Sequence, residues 1–515
     1  MEYVSAPGIV PDSLEFRKYQ MNISRKCLGE NTLVILPTGL GKTAVALLVS
    51  AEILEKGKKV LMLAPTKPLV EQHHVFFGNM IEGHSIGVMN GLFAPKKRQT
   101  IIESNDFIVS TPQTVSNDLI TGTYSLDEFG LVIFDEAHRA TGSYAYVNVA
   151  RYVPESARII GMTASPGSDL KKIAEVCSNL YLTNIEVRTD EDPDVSPYVF
   201  DTYVNHITVH MPKDLTDISD ALRRLLDHYF FELTNLHLTS PGWPPSTKHM
   251  LHIGQMLQMR LARGEKTNTV YRGLTVQSIC IKILHAINLA ETQGMTVLRS
   301  YLRSLNSAAE DGESSKADRE LVHRPEYLGV WNIVRTSNVE HPKISRLLGL
   351  VSRMLDSDPD SKIIVFAQYR ESCDVIADKL AVVPAAKVCK LIGQANGGLK
   401  QKEQIGILDR FRSGEFNIVV STSVGEEGLD IASTNAVIFY EPIPSEIRTI
   451  QRRGRTGRKN DGEVFVLVAS GTMDEVMEAS ALKKEQMMKE RLETLNRNMK
   501  LGKGIPKNQK DLDWF

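Results

Sequence analysis

Several features are scarce in this sequence, and each scarcity excludes something. There are only 5 cysteines in 515 residues: Cys27, Cys177, Cys280, Cys373 and Cys389. They are scattered, with no C-x-x-C pair, which argues against a disulfide framework or a zinc site and fits a reducing cytoplasm. No run of 18 apolar residues exists, so no membrane-spanning segment is expected. The first ten residues, MEYVSAPGIV, have neither the basic start nor the apolar core of a secretory signal. Net charge is also nearly absent. Sixty Lys and Arg against 62 Asp and Glu leave a formal charge of −2, so a polyanionic partner has to be met by a local patch. Periodic repeats are not evident. The length is too great for one core, and roughly three domains of 100–200 residues are expected.

The most informative stretch is residues 33–43, LVILPTGLGKT. Leu33 to Leu36 read as a buried parallel strand. Thr38, Gly39, Gly41, Lys42 and Thr43 follow, and an apolar helical run continues from Ala44 to Leu54. A strand, a glycine loop and a helix in this order form a P-loop. Backbone N–H groups and the helix N-terminus hold phosphates, Lys42 reaches the outer ones, and the Thr43 hydroxyl ligates Mg²⁺. Leu36 stands where the general pattern has its first glycine; the form here is PTGxGKT. Upstream lie Arg17 and Gln20, and a Gln amide can donate and accept at once, which matches an adenine edge.

Strand-sized apolar runs recur at Val60–Leu63, Phe107–Val109, Leu131–Phe134 and Ile159–Met162, separated by helical or loop segments. That alternation predicts a doubly wound parallel α/β sheet, with ligands beyond the carboxyl ends of the strands. The chemically loaded residues follow those strands: Thr66, Thr111-Pro112, Asp135-Glu136-Ala137-His138, and Thr163-Ala164-Ser165. Two adjacent carboxylates are costly to bury without a partner, so a metal is the natural one. Asp135 is expected to hold Mg²⁺ and Glu136 to deprotonate the attacking water. His138, Thr163 and Ser165 are expected to couple this site to a moving lobe.

From residue 206 the pattern changes to apolar residues three and four apart: Leu215, Ile218, Leu222, Leu225, Leu226, Tyr229 and Leu233. Further helical periodicity runs through Met250–Leu261 and Val276–Leu305, and residues 306–320 are polar and expected to be mobile. Residues 239–305 carry eight Lys or Arg against two Glu. This is a footprint for nucleic-acid backbone, with Lys248, Arg260, Arg263, Lys266, Arg272 and Lys282 as candidate contacts. Strand and helix alternation returns at 341–470, with Thr422, Gly428 and Asp430 in STSVGEEGLD and Gln451, Arg455 and Arg458 in QRRGRTGR. Four arginines within seven residues call for an anion. With no P-loop of its own, this second lobe is expected to work on the nucleotide of the first, Arg455 and Arg458 acting as arginine fingers.

The ordered set PTGLGKT, APTKPLV, STPQT, DEAH, TAS, IIVFAQYR, STSVGEEGLDI and QRRGRTGR resembles that of superfamily 2 helicases. The helical insert makes it most similar to the archaeal Hef and eukaryotic FANCM/Mph1 branch; Dicer and RIG-I helicases share the layout. The resemblance implies two RecA-like lobes around an all-helical insert, divided here as 1–205, 206–340, 341–470 and a C-terminal helix and tail, 471–515. It implies an ATP- and Mg²⁺-dependent helicase in which Lys42, Thr43, Asp135, Glu136, Gln451, Arg455 and Arg458 serve hydrolysis. Arg17 and Gln20 would serve the base, and Gly428 and Asp430 the ribose side. Thr66, Thr111, Pro112 and Thr422 would lie along a nucleic-acid strand. The expected substrate is branched or single-stranded DNA, with 3′ to 5′ movement and a role in fork repair. An RNA motor of the Dicer and RIG-I type is the alternative, and a non-hydrolysing clamp a third. Only residues 471–515 follow the last strand, so the nuclease domain usual in Hef is not expected. An archaeal source and a nucleoid-associated cytoplasmic location are expected. The amphipathic stretch Val476–Leu495 is expected to pack on a lobe, followed by a polar tether at 496–504. Gln509, Leu512 and Phe515 have the spacing of a peptide that docks on the sliding clamp PCNA.

Overall fold

The computed structural model describes the chain apart from residues 1, 38, 165–169, 190, 199–203, 241, 311–314, 393–400, 423–433, 443–462 and 501–515. Its first lobe is built on seven strands: β1 (Thr32–Ile35), β2 (Lys59–Leu63), β3 (Ile86–Met89), β4 (Phe107–Ser110), β5 (Phe129–Asp135), β6 (Arg158–Thr163) and β7 (Asn184–Val187). They form one parallel sheet in the order β3-β4-β2-β5-β6-β1-β7. β1, β4 and β5 are buried at every position, as short unbroken apolar runs require when helices cover both faces. The order β5-β6-β1 is what matters for chemistry. It sets the residues after the acidic strand, the TAS strand and the P-loop strand side by side at one edge.

The second sheet holds β9 (Ile363–Phe366), β10 (Val388–Leu391), β11 (Ile418–Ser421), β12 (Ala436–Phe439) and β13 (Glu463–Ala469). A sixth strand, β8 (Val204–Val209), completes the order β10-β11-β9-β12-β13-β8. β8 pairs in parallel with β13, Val204 opposite Val464 through Val209 opposite Ala469. The sequence reading split this segment at residue 206 and gave its larger part to the insert. Its half-exposed side chains hid a strand that only a partner from far down the chain completes.

The insert is helical: Lys213–Asn235, Thr247–Ala262, Asn268–Thr292, Met295–Glu310, Lys316–Val322 and Pro325–Thr336. They share one core, which includes Leu222, Tyr229, Ile279, Leu298 and Tyr327. Ser246, Thr267 and Ser315 cap three of the helices by accepting from His249 N, Val270 N and Asp318 N. The periodic run Val276–Leu305 is two helices, because Gly294 at φ +93° breaks it where a Cβ would also meet the His341 Cβ at 2.7 Å. Residues 306–310 and 316–320, read as mobile, are helical. Asn268–Thr292 is long and apolar enough by composition to cross a membrane, with an 18-residue stretch of mean hydropathy 1.3. Here it is the helix against which its neighbours in the insert pack.

A buried polar cluster joins the insert to the second sheet. Lys343 Nζ sits 2.5 Å from Asp474 Oδ2, both side chains at most 1% exposed. It also donates to Thr292 O at 3.2 Å. Glu441, just past β12, accepts from the Gln368 N–H and from Gln293 Nε2 at 3.4 Å. Burial pushes the Glu441 carboxyl up to about 7, against the pull of Lys343. His341 Nε2 donates to Glu291 O while Nδ1 accepts from Lys343 N; burial and Lys343 hold this imidazole at about 3, so it is neutral.

The last helix, Met473–Lys500, begins in this cluster and ends elsewhere. It runs past the expected limit of Leu495 into the supposed tether, and Met488, Leu492 and Leu495 enter the core of the first lobe. Burying three such side chains contributes at most about 5–9 kcal/mol. The chain thus passes from first lobe to second at β8 and returns along this helix.

Candidate active site

The P-loop is shaped by two glycines in the left-handed region, Gly39 at φ +86° and Gly41 at φ +77°. Gly41 also caps the helix Lys42–Glu55, and a Cβ there would stand 2.3 Å from Gln20 Nε2. Gln20, buried on the helix Lys18–Gly29, donates through Nε2 to Leu40 O at 3.1 Å. Its Oε1 is buried with no hydrogen-bond partner among the described residues. An orphaned acceptor of this kind suits the amino group of an adenine. Arg17 is paired with Glu15 at 3.0 Å, its guanidinium 5.0 Å from the centre of the Tyr198 ring. Lys42 Nζ donates to Leu36 O at 3.3 Å, and Thr43 lies in the first turn of the helix.

Asp135 ends β5 and is buried, and two residues that the sequence reading missed hold it. His73, on the helix Lys67–Met80, places Nε2 2.8 Å from Asp135 Oδ2. The Tyr146 hydroxyl lies 2.6 Å from Asp135 O and 3.2 Å from Leu63 O, tying the acidic strand to β2. Burial alone would raise the Asp135 carboxyl. The hydrogen bond and charge of His73, the charge of Lys42 and the Glu136 N–H together hold it below the usual range, ionised. Nothing in the sequence separates His73 from its neighbour His74. Only the fold, which brings His73 to the carboxyl end of β5, marks it.

Glu136 occupies the left-handed region at φ +49°, ψ +49°. A non-glycine residue there is costly and recurs at functional sites. The kink turns the chain sharply after Asp135, so the two carboxylates do not continue a strand. His138 Nδ1 is 3.3 Å from Glu136 Oε2 and 3.0 Å from Thr163 Oγ1. Thr163 is fully buried at the end of β6, and its carbonyl accepts from Leu36 N at the foot of the P-loop. Lys42, Asp135, Glu136, His138 and Thr163 are thus brought together. An ionised carboxylate and the Thr43 hydroxyl are hard oxygen donors that fit Mg²⁺, which would supply charge neutralisation on the phosphates. With a nucleotide bound there, Glu136 would take a proton from water and Lys42 would hold the outer phosphates.

Thr66, Thr111 and Thr422 follow β2, β4 and β11. Thr66 and Thr111 occupy the N-cap positions of the helices Lys67–Met80 and Pro112–Ile120 without a side-chain cap hydrogen bond, so two helix N-termini face the edge where a strand of phosphates is expected. The Thr111 hydroxyl is 2.9 Å from that of Thr114. The six insert cations divide. Arg260 is paired with Glu265, Arg272 with both Glu232 and Glu320, and Lys282 with Asp318 at 3.0 Å. Lys248, Arg263 and Lys266 are exposed, and no carboxylate pairs with them among the described residues. Thr38, Ser165, Gly428, Asp430, Gln451, Arg455 and Arg458 lie outside the described residues, as do Gln509, Leu512 and Phe515.

Comparison with known proteins bears on this geometry. The crystal structure of the Pyrococcus furiosus Hef helicase domain superposes with a TM-score of 0.70 at 40% identity, covering 90% of this chain and 98% of that one. The chain belongs to the Hef branch of superfamily 2 helicases. Three family descriptions match in order along it. These are "Type III restriction enzyme, res subunit" at 13–168, "Putative ATP-dependent RNA helicase, helical bundle" at 214–339, and "Helicase conserved C-terminal domain" at 342–460. It is 38% identical over 499 residues to the "Putative ATP-dependent RNA helicase MJ1505" of Methanocaldococcus jannaschii, covering 96% of this chain and 63% of that protein. It is 31% identical to the ATP-dependent DNA helicase mph1 of Neurospora crassa (88% and 41% covered) and to the Fanconi anemia group M protein homolog of Mus musculus (93% and 26%). The chain therefore spans less than two thirds of the length of these curated relatives. The matched helicase families and helicase relatives support an ATP-dependent helicase.

Proposed function

We propose that the chain is an ATP-driven translocase that moves 3′ to 5′ along branched DNA and remodels forks and Holliday junctions. Mg-ATP binds the first lobe through the P-loop, Asp135 and Thr43. Arg455 and Arg458, which lie outside the described residues, are assigned the role of arginine fingers by their sequence motif, and each turnover closes and reopens the cleft on the strand. The observation that carries the enzymatic half is the convergence of Lys42, an ionised Asp135 and a kinked Glu136 at one sheet edge. The choice of DNA is supported by the relatives named as DNA helicases. The relative named as an RNA helicase supports the second reading, an RNA motor. A further part of the proposal is that Gln509, Leu512 and Phe515 dock on PCNA, which deletion of 509–515 and a clamp-binding measurement would test.

One comparison tests the main reading: ATPase stimulation by single-stranded DNA, forked DNA, a Holliday junction and double-stranded RNA. Branched DNA is expected to stimulate most. Glu136→Gln is expected to bind ATP and lose turnover by several orders of magnitude, on the general-base assignment. Strongest stimulation by double-stranded RNA would replace the DNA reading with the second one.

A further inference from the structure

A cavity of about 120 Å³ lies between the insert and the second lobe, apart from the nucleotide site. Its walls are rings. His285, on the helix Asn268–Thr292, meets Tyr301 edge to face, with centroids 4.6 Å apart and planes at 89°. Tyr369, at the start of the helix Arg370–Leu380, brings its ring within 5.7 Å of the same imidazole. Both tyrosine hydroxyls are occupied on the protein side: Tyr301 Oη donates to Lys282 O at 3.4 Å, and Tyr369 Oη accepts from Asn288 Nδ2 at 3.1 Å. Buried Leu289 and Val297 also line it, and Ser300, Ser304 and Glu371 bring exposed polar groups to the lining. Burial lowers the His285 imidazole below its usual value, so the ring is neutral and offers one donor and one acceptor.

Three properties restrict what this cavity can take. Its size matches roughly ten water positions at 10–15 Å³ each, about the number of heavy atoms in one nucleobase. It is far below the usual volume for a drug-sized ligand or a whole nucleotide. Among the described residues the lining has no Lys or Arg, so it does not suit a phosphate. It does have aromatic surface, two serine hydroxyls (that of Ser304 donating to Tyr301 O at 2.7 Å and still able to accept) and one carboxylate, which suit a flat heterocycle with amino groups on its edge. Tyr369 follows β9, the neighbour of β11 that carries Thr422, so the cavity lies at the carboxyl edge of the second sheet.

We propose that this cavity receives one unstacked nucleobase of the bound strand, packed against His285, Tyr301 and Tyr369, with Ser300, Ser304 and Glu371 reading its edge. The proposal rests on the nucleic-acid reading above. It goes beyond it by giving the second lobe a grip on a base, where the candidate contacts elsewhere reach only the backbone. The Glu371 carboxylate accepts hydrogen bonds, so bases with amino groups (C, A, G) are favoured over T.

The test is an abasic scan. The full chain is titrated with forked DNA carrying a single abasic nucleotide moved stepwise along the single-stranded arm. Wild-type affinity is expected to fall at one position by roughly 5- to 150-fold, the range for one stacked base. Ser304→Trp, which fills the cavity from an exposed position, should bind intact DNA more weakly by a similar factor and become indifferent to that abasic site. Tyr301→Phe should behave as wild type, because the ring remains. A flat scan with intact fork binding would overturn the base pocket alone. So would a Ser304→Trp protein with wild-type affinity and undiminished abasic sensitivity. Failure to bind any nucleic acid would overturn both this and the reading it rests on.

Discussion

Replacing Lys343 by Met should be among the most damaging single changes in the second lobe. The substitution conserves much of the volume but removes the ammonium group from a cluster holding Asp474 and Glu441. Asp474 would keep the Ala469 N–H, 2.9 Å from Oδ2, while its Oδ1 already has no partner among the described residues. Leaving a buried carboxylate unpaired costs about 3–5 kcal/mol. For a unit of 150–250 residues each kcal/mol moves the midpoint by about 2–4 °C, so melting should come roughly 6–20 °C earlier. Asp474→Leu should cost a comparable amount by stranding Lys343. The double variant should lose far less than the sum, about 1–3 kcal/mol for the unpaired Ala469 N–H. Thermal unfolding followed by circular dichroism reads all three. A Lys343→Met protein melting within about 2 °C of wild type, or a double variant no better than the singles, would refute the pairing as the cause.

His73→Ala should weaken nucleotide-dependent Mn²⁺ binding, read by electron paramagnetic resonance, by about 10- to 100-fold, with Gln partly restoring it; unchanged Mn²⁺ affinity would remove His73 from the site. Glu441 starts near 4.5 unfolded and is raised to about 7 in the fold. It holds a proton that the unfolded chain lacks between those values, so stability falls as pH rises through that window. Glu441→Gln lacks this loss, and its midpoint should gain on wild type between pH 5 and 8; a constant gap would refute the shift. Reversing Lys248, Arg263 and Lys266 together should make the slope of log affinity against log salt shallower by up to about 0.9 per duplex contact. Arg272→Glu should mainly lower the melting temperature, because Arg272 is bound by Glu232 and Glu320; equal salt slopes in the triple variant and wild type would leave these cations off the DNA.

The sheets and the nucleotide site were legible because their signals are local. Unbroken apolar runs mark strands buried on both faces, and the residues that follow them cluster automatically, as Lys42, Asp135 and Thr163 do. What escaped depends on distant partners. β8 has no strand-like apolar run and becomes a strand only against β13, some 260 residues on. His73 acts on Asp135, which lies 62 residues away. The charge count over the insert gave its sign but not its availability: Arg272 and Lys282 answer acids at Glu232, Glu320 and Asp318, outside the window in which they were counted. The pattern of the last helix was clear, but not its destination in the opposite lobe.

That helix has a mechanical consequence. Its 28 residues make a rod of about 42 Å, riveted at one end by Asp474 and seated at the other by Leu492 and Leu495. While both fastenings hold, the span between them is fixed, and the lobes cannot simply slide apart. The freedom left is pivoting about the attachments, which turns a small change in angle at the nucleotide into a sweep at the far rim of the second lobe. The helix then behaves as a tie-rod between the two lobes.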